Sequence, residues 1–474
     1  MRHTFHAKIV RVVLVCFVAS IFSVLFSVPL TGQSPASSKA DIDLLIVGGK
    51  VFRTESASFE ANPGIAIDDG KFVDVKARPA RFDPKQTIEL GDNDFILPGI
   101  VDCHAHYNVR LIRRRREEYH VVPIVYLANG VTSTFSCGEF DPAAMEKLRK
   151  QIQKGEKIGP NLINSGPYFG RARPGWRGEK TKQEIFDEVD FWANRGVGGF
   201  KAKAIGPNEL KALIERAHHH KLTVTGHLDS GYRSSVNPRD AIKMGIDRIE
   251  HFLGGDAMPD SRSAYSSLPN ITHDMKEFKK IVKTYVESET VFNATLTAYG
   301  YFGSREQHYD YWVDERKFFT PFIQERVRSR QHRVMSQFQQ IFEAKQKTIS
   351  HYFKAGGKLS LGTDHFSNGE YLPGFGSHRE MAVMVASGIP AKEVIRIASI
   401  NGAQALQIDQ KRGSIEAEKF ADLYIIKGNP LKEIKNTRTV HTVISNGKVY
   451  KTKKLLDSVN GKLGPSDESE SSRW

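Results

Sequence analysis

Residues 95–106 read FILPGIVDCHAH, and this stretch decides the fold that we predict. Its apolar and β-branched residues, which run through a Pro-Gly pair and end at the histidines, indicate a buried strand. Because side chains alternate between the two faces of a strand, we expect Asp102, His104 and His106 to share one face. Two imidazoles at this spacing can bind one metal ion, but His-x-His alone is a weak signal. Its interpretation depends on the rest of the chain.

Later strand-like segments also carry ionisable side chains at or near their carboxyl ends. They are residues 199–203 (GFKAK), with Lys201 and Lys203, residues 222–227 (LTVTGH), ending at His227, residues 245–251 (GIDRIEH), ending at His251, and residues 358–364 (KLSLGTD), ending at Asp364. Helix-like segments separate or follow these strands. In a barrel of alternating strands and helices, sites are assembled at the carboxyl ends of the strands. The recurrence therefore predicts one shared site.

With these motifs in this order, the chain resembles the amidohydrolase superfamily of metal-dependent hydrolases. The resemblance runs from about Asp41 to Lys451 and includes LPGIVDCHAH and the later segments SINGAQAL, GSIEAEKFADLYIIKGNPL and VISNGKVYK. The chain is most similar to the Xaa-Pro dipeptidase and imidazolonepropionase-like groups, which carry a lysine ligand on strand 4. The resemblance implies an α/β fold: a (β/α)8 TIM barrel with a small β-sandwich domain built from both chain ends.

The resemblance also implies a centre with two divalent metal ions. Its implied ligands are His104, His106, Lys201, His227, His251 and Asp364. Lys201 would join the centre as a carbamate formed with carbon dioxide, since an ammonium cannot bind a cation. Asp364 would act as general acid and base for an activated hydroxide, a role that typically contributes ~10²–10⁴-fold. Zinc suits these nitrogen and oxygen donors, and manganese, iron and cobalt also fit.

Spacing does not decide between the two lysines of the predicted fourth strand. Lys201 and Lys203 lie two residues apart, so both side chains face the same way. The family pattern favours Lys201 as the ligand. Lys203 is then expected nearer the mouth of the barrel, as a substrate contact or a solvated charge.

The predicted reaction is hydrolysis of a carbon–nitrogen bond in a small molecule: an amide, a dipeptide or an N-acyl amino acid. A first alternative is a mononuclear deaminase of the same superfamily. Such enzymes usually lack the strand-4 lysine and carry a glutamate three residues after the strand-5 histidine, where this chain has Ser230. A second alternative is a non-catalytic binding protein on the fold of a former enzyme, but such proteins normally lose residues that bind the metal. All six positions are occupied here.

We divide the 474 residues into five parts. The predicted parts are a signal peptide or anchor (1–35), the first part of a β-sandwich (41–97), the hydrolase barrel (98–405) with a helical insertion at about 299–354, the second part of the sandwich (406–453), and a disordered tail (454–474). The barrel boundaries leave room for insertions, because a (β/α)8 barrel takes ~250 residues.

The amino terminus predicts export to the periplasm or outside the cell. Basic residues precede a long apolar run and a Ser-, Gly- and Gln-containing stretch, the form of a secretory signal, and the run is long enough to stay as a membrane anchor. After export the mature chain would contain two cysteines, Cys103 and Cys137. Two buried thiols are a more common outcome for such a pair than a disulfide. The oligomeric state stays open.

The chain carries a formal net charge of +14, which is spread over its length. Its densest basic cluster, residues 113–116, is expected on a solvated helix face. No zinc-finger spacing or aromatic-interleaved basic stripe accompanies this charge, so we predict no nucleic-acid partner.

Overall fold

The computed structural model describes residues 39–473, except for residues 112–113, 229–234, 254–267, 304–314, 329–334 and 366–371. The predicted signal segment and Ser230 lie outside the described residues. Within the described ranges, every helix falls short of the length and apolarity that crossing a membrane requires.

Both ends of the chain contribute to one eight-stranded sheet, which we call the chain-end sheet. Its strands are β1 (Ala40–Arg53), β2 (Ser58–Ala61), β3 (Ile65–Asp68), β4 (Lys71–Asp74), β5 (Phe82–Pro98), β16 (Leu423–Lys427), β17 (Val440–Ser445) and β18 (Lys448–Lys451). The central strand β5 pairs in parallel with β1 and antiparallel with β16, which joins the two ends of the chain. A two-layer sandwich stays a prediction.

The hairpin of β17 and β18 follows directly from the sequence. Asn446 and Gly447 connect the strands with φ angles of 48° and 75°, and Ser445 faces Lys448 across the turn. Two-residue hairpin turns need positive φ at both positions, and Asn-Gly is the pair that tolerates this best. The Asn-Gly pair therefore accounts for the turn at this position.

The stretch that opens the predicted barrel is divided between two sheets. Residues up to Pro98 belong to β5, and a new strand, β6 (Ile100–Ala105), begins after Gly99. A Cβ atom at Gly99 would lie 2.0 Å from the Oγ1 atom of Thr132, so only glycine allows the chain to pass so close to its neighbour. The continuous strand that we expected from residue 95 is therefore broken at the Pro-Gly pair.

Parallel strands separated by helices form the centre of the molecule. One ladder joins β6, β9 (Val131–Ser136) and β10 (Asn161–Asn164), and a second joins β11 (Tyr168–Phe169), β12 (Gly199–Lys203), β13 (Thr223–His227), β14 (Arg248–Glu250) and β15 (Val291–Asn293). Every pair in these ladders is parallel, so the carboxyl ends lie at one edge. This edge is where the predicted site residues occur.

The segment between Lys358 and Asp364 lies between the two ladders. Phe292 N donates to Lys358 O at 2.9 Å, and Cys103 N donates to Leu361 O at 2.9 Å. The segment thus makes backbone contact with both β15 and β6. Described as ladders, the strands form two parallel sheets of three and five strands, and a closed eight-stranded barrel stays a prediction.

Helices follow most of the parallel strands and cover the sheets. They are α1 (Val122–Ala128), α2 (Pro142–Gln153), α3 (Lys182–Asn194), α4 (Pro207–His219), α5 (Pro238–Lys243), α6 (Lys276–Ser288), α7 (Leu296–Gly303), α8 (Pro321–Arg328), α9 (Ser336–Lys354), α10 (Phe375–Ala386), α11 (Ala391–Arg396), α12 (Gly402–Ala405), α13 (Thr452–Asp457) and α14 (Glu468–Arg473). Local sequence fixes their starts: at α3, for example, Thr181 and Glu184 bond to each other's backbone N–H in a capping box. The insertion predicted at about residues 299–354 contains helices in its described parts.

The carboxyl-terminal tail is ordered, which corrects the expectation of disorder for residues 454–474. It carries helices α13 and α14, and Val459 and Leu463 between them are 3% and 0% exposed. Leu463 N donates to Phe318 O at 2.8 Å, so the tail docks on the insertion. The polar composition concealed these apolar residues, which are spaced four apart.

The basic cluster at residues 113–116 is also not helical where it is described. Residues Arg114–Glu117 form strand β8, which pairs antiparallel with β7 (Asn108–Leu111). The predicted helix face is therefore wrong. The pairing partner, which local composition does not reveal, decides the structure of this segment.

Candidate metal centre

Strand β6 delivers the first two predicted ligands. The rings of His104 and His106 have centroids 5.2 Å apart, and His104 is 2% exposed. The carboxylate of Asp102 accepts the backbone N–H of His104 at 3.0 Å and the hydroxyl of Thr363 at 2.7 Å. Asp102 is thus occupied in joining β6 to the segment that carries Asp364.

Asp364 brings three of the predicted histidines together. Its Oδ1 atom lies 2.9 Å from Nε2 of His106 and 3.3 Å from Nε2 of His104, and its Oδ2 atom lies 3.8 Å from Nδ1 of His251. The backbone N–H of Asp364 also donates to the carbonyl of His104 at 2.9 Å. Residues 258 positions apart in the sequence therefore meet at one point.

His227 and His251 complete the ring of imidazoles. Their ring centroids lie 4.3 Å apart, and those of His104 and His251 lie 4.9 Å apart. Nδ1 of His251 lies 2.8 Å from the hydroxyl oxygen of Thr295, which fixes the orientation of this ring. Four histidines from three different strand ends thus surround Asp364.

The two lysines of β12 differ in their surroundings. Lys201 is 1% exposed, and its Nζ atom has no hydrogen-bond partner among the described residues. Its charge acts on His104, His227 and His251. Lys203 is only partly buried, and its ammonium lies 5.8 Å from the centre of the Tyr168 ring. These surroundings favour Lys201 over Lys203 as the buried member of the centre.

The electrostatics of the centre prepare it for a cation. Burial lowers the pKa of His227 and of His251 well below the usual range, so both imidazoles are neutral with a lone pair available. For His104 burial has the same effect, but the neighbouring Cys137, Glu250 and Asp364 outweigh it and raise the pKa well above the usual range. A position that holds a proton this firmly also favours a metal ion.

Asp364 and Glu250 supply the negative charge. Burial alone would raise the pKa of each carboxyl. His104, Lys201 and Arg248 outweigh it at Glu250, and the neighbouring histidines outweigh it at Asp364. The pKa of Asp364 is well below its usual range, and that of Glu250 falls to about 2. Both groups are therefore carboxylates at neutral pH.

Two residues that support the centre were not predicted from the sequence. Glu250 lies 2.6 Å from Nδ1 of His104 and accepts the hydroxyl of Thr225. Lys345, from the insertion helix α9, donates to the backbone carbonyl of His251 at 2.6 Å, and its ammonium lies 3.9 Å from the centre of the Tyr299 ring. A carboxylate that orients a metal-binding histidine is a common device, so a charged residue within β14 was the available signal for Glu250.

Backbone conformation explains why Glu250 and its neighbour His251 serve the same site. Strand β14 ends at Glu250, and His251 has a φ angle of 69°. Asp364 likewise has a φ angle of 51°. Left-handed backbone at non-glycine residues is costly, and besides turns it is found at functional sites. Side chains therefore do not simply alternate between strand faces at His251 and Asp364.

Within the described part of the chain, two groups of side chains are arranged so that they could hold a metal ion. One contains His104, His251 and Asp364, and the other contains His104, Cys137 and Glu250, with ligand atoms within 4.8 Å of one another in each. The first group belongs to the predicted centre. Cys137 was not predicted as a ligand.

The sequence profile of the amidohydrolase family matches residues 95–450. The chain belongs to the amidohydrolase family. The match spans every predicted ligand, from His104 to Asp364. The family consists of metal-dependent hydrolases, and the cluster of candidate ligands in this chain agrees with that chemistry.

Individual relatives are distant. Over 168 residues the chain is 28% identical to adenine deaminase 4 of Rhizobium meliloti (strain 1021), covering 33% of this chain and 24% of that protein. Over 130 residues it is 31% identical to a 5-methylthioadenosine/S-adenosylhomocysteine deaminase of Thermoanaerobacter pseudethanolicus (strain ATCC 33223 / 39E), covering 24% and 30%. The chain thus matches less than a third of the length of these curated relatives.

The fold is similar to that of a Xaa-Pro dipeptidase solved with methionine bound in its active site. The TM-score is 0.63 at 21% identity, with 86% of this chain and 99% of that chain covered. At this identity the likeness concerns the fold alone.

Proposed function

We propose that this protein is a metal-dependent hydrolase that cleaves a carbon–nitrogen bond in an amide, a dipeptide or an N-acyl amino acid. Two divalent cations would be held by His104, His106, Lys201, His227, His251 and Asp364. The observation that carries the proposal is the buried amine of Lys201, which has no hydrogen-bond partner among the described residues and acts electrostatically on three imidazoles of the centre.

The surroundings of Lys201 fit a carbamate. A buried polar group without a hydrogen-bond partner is costly, and Nζ of Lys201 is such a group among the described residues. The neutral amine can attack carbon dioxide, forming a carbon–nitrogen bond and releasing one proton, which leaves a carbamate anion. The carbamate would replace a positive charge with two oxygens that can bind cations.

The remaining donor set suits zinc. Imidazole nitrogens and a carboxylate are typical zinc ligands, although manganese, iron and cobalt accept the same donors. When bound, divalent cations in such a site lower the pKa of a coordinated water and polarise a carbonyl group. His227 and His251 are already neutral, so they need not lose a proton before binding.

Asp364 is the residue to which we assign proton transfer. Its Oδ1 atom lies between His104 and His106, and its low pKa keeps it deprotonated before the reaction. From this position it would orient the attacking water, accept its proton and pass the proton to the leaving nitrogen. Lys203, over the Tyr168 ring, is a candidate contact for the substrate.

The proposal extends to the rest of the chain. It includes a closed (β/α)8 barrel, a sandwich formed by the chain-end sheet, and export directed by residues 1–35, which would either be removed or stay as an anchor. The substrate is a small molecule, and no nucleic-acid partner is proposed.

A second candidate function is deamination. Both curated relatives are deaminases, which favours it. The buried Lys201 counts against it, because the resemblance links a strand-4 lysine to the hydrolases with two metal ions. Hydrolysis of an amide releases an amine, whereas deamination releases ammonia, so the products distinguish the two.

The test is to supply the purified, metal-loaded protein with Xaa-Pro dipeptides, N-acyl amino acids and adenine nucleosides, and to measure amine and ammonia release. We expect amine release, and we expect metal-free protein reloaded without bicarbonate to regain activity more slowly than protein reloaded with it. Ammonia release from the nucleosides alone, with no effect of bicarbonate, would contradict the proposal.

A further inference from the structure

A second group of potential metal ligands lies on the side of His104 that faces Glu250. Cys137 follows the last residue of β9, and its backbone N–H donates to the carbonyl of Ala105 at 2.9 Å, which places it beside β6. Cys137 is 0% exposed, and Glu250 is 1% exposed. The ligand atoms of His104, Cys137 and Glu250 lie within 4.8 Å of one another.

The spacing of this group is close to what a metal ion needs. Bonds of about 2.0–2.3 Å to a tetrahedral ion put neighbouring ligand atoms roughly 3–4 Å apart. Nδ1 of His104 and the Glu250 carboxylate are 2.6 Å apart, so they would separate slightly to admit an ion in place of the shared proton. Thiolate, imidazole and carboxylate together favour soft or borderline cations over magnesium or calcium.

We propose that His104, Cys137 and Glu250 form a second cation site, for a thiophilic divalent ion such as cadmium or excess zinc, and that its occupation inhibits the enzyme. Binding forms a metal–sulfur bond and releases the thiol proton. It also displaces the proton that Nδ1 of His104 shares with Glu250. No oxidant or reductant takes part.

Inhibition follows from the chemistry of one imidazole. A neutral imidazole has one nitrogen with a free lone pair, while the other keeps its hydrogen. Nε2 of His104 faces Asp364, on the side of the proposed catalytic cations, and Nδ1 faces Glu250. A cation on Nδ1 therefore competes with a cation on Nε2. The inhibitory effect rests on the proposed function, but the site itself does not.

The second described cysteine provides a matched control. Cys103 is also 0% exposed, but its Sγ atom donates to the carbonyl of Gly402 at 3.5 Å, and it belongs to neither group of candidate ligands. Cys103 lies on β6 and Cys137 directly follows the neighbouring strand β9, and the two thiols are equally buried. Only Cys137 is expected to bind metal.

The experiment is a titration of the reduced, metal-free full chain with cobalt(II), followed by ultraviolet absorption. A thiolate bound to cobalt gives an intense charge-transfer band that oxygen and nitrogen ligands do not give. We expect this band in the wild type and in Cys103→Ser, and its loss in Cys137→Ser and Cys137→Ala. Circular dichroism of each variant establishes that it is folded. Absence of the band in the wild type, or its persistence in both Cys137 variants, overturns the site.

Activity is a separate readout. For each variant the ratio of rates with and without cadmium is measured, and we expect the inhibiting concentration to rise at least tenfold in the Cys137 variants but not in Cys103→Ser. If the protein hydrolyses no amide yet shows the cobalt band, the proposed function fails and the site stands. If it hydrolyses amides without the band, the reverse holds.

Discussion

The chain-end sheet and the predicted metal centre both bury cationic side chains, but they treat them differently. Beside the sheet, in the loop that precedes β16, Arg412 is 7% exposed, donates to the carboxylate of Asp422 and donates to the side chain of Asn446 at 2.6 Å. In the centre, Lys201 is 1% exposed, and its amine has no hydrogen-bond partner among the described residues. The sheet satisfies its charge within the fold, whereas the centre leaves a group available for chemistry.

The largest expected effect comes from Lys201. We expect Lys201→Ala to lower the rate of amide hydrolysis by more than about 10⁴-fold, the order of loss when one member of a catalytic unit is removed. The metal-free variant should lose little stability, because the substitution breaks no hydrogen bond of the buried amine. Hydrolysis assays and urea unfolding in the presence of a chelator measure both.

Lys203→Ala is the matched control for this prediction. Because Lys203 lies over the Tyr168 ring and is partly exposed, we expect its loss to raise KM and leave the metal content unchanged. If Lys203→Ala loses metal and Lys201→Ala does not, we have assigned the two lysines in the wrong order.

For the chain-end sheet we expect the opposite pattern, a loss of stability without a loss of metal. Arg412→Met should lower the free energy of unfolding by about 3–5 kcal/mol, because it leaves the buried carboxylate of Asp422 without its cation. The metal content per folded chain should not change. Adding Asp422→Asn should recover part of the stability. An Arg412→Met variant with the wild-type free energy of unfolding but a lower metal content would contradict the difference that we draw between the two regions.

Glu250→Gln tests the support of the centre. Removing the carboxylate that contacts His104 at 2.6 Å should weaken metal binding by about 10–100-fold, the usual effect of losing a partner that orients a ligand. Glu209→Gln is the control, since Glu209 is equally buried but caps helix α4. Competition with a fluorescent chelator gives both affinities, and equal affinities would contradict the role of Glu250.

The smallest effect concerns Glu139, near the carboxyl end of β9. Its Oε1 atom accepts from Asn164 at 2.5 Å, its Oε2 atom has no partner among the described residues, and burial raises its pKa to about 8. Because the folded state holds this proton and the unfolded state does not, stability should fall as the pH rises from about 4.5 to about 8.

Glu139→Gln should remove this pH dependence. At pH 8 the variant should be more stable than the wild type by at least about 1 kcal/mol, since one unit of pKa shift corresponds to about 1.4 kcal/mol. Near pH 4 the two should be equal. Urea unfolding at both pH values measures the difference, and a variant that is less stable at pH 8 would contradict the assignment.

The elements that the sequence predicted well are those in which local pattern and long-range pairing agree. The Asn-Gly turn at residue 446, the helical insertion and the strands that end near Lys201 and His227 all have clear periodicity or turn chemistry. The histidine-bearing strand ends also pointed toward a single site, because parallel strands bring their carboxyl ends to one edge.

Features that depend on distant contacts could not be predicted. The positive φ angle at His251 brings the side chains of Glu250 and His251 into one site, although neighbouring side chains on a strand normally face opposite ways. No residue type in the sequence indicated this angle. Lys345 reaches His251 from a helix nearly a hundred positions later. The tail packs on the insertion, where Leu463 N donates to the carbonyl of Phe318. In each case the partner, and not the local sequence, determines the conformation.

The most direct test of the central claim is the metal content of the purified chain, measured by elemental analysis after loading and removal of excess ion. We expect two divalent ions in each wild-type chain and a loss of at least one in Lys201→Ala. A wild type that binds a single ion, together with a Lys201→Ala variant that binds the same number, would contradict a two-metal centre built around this lysine.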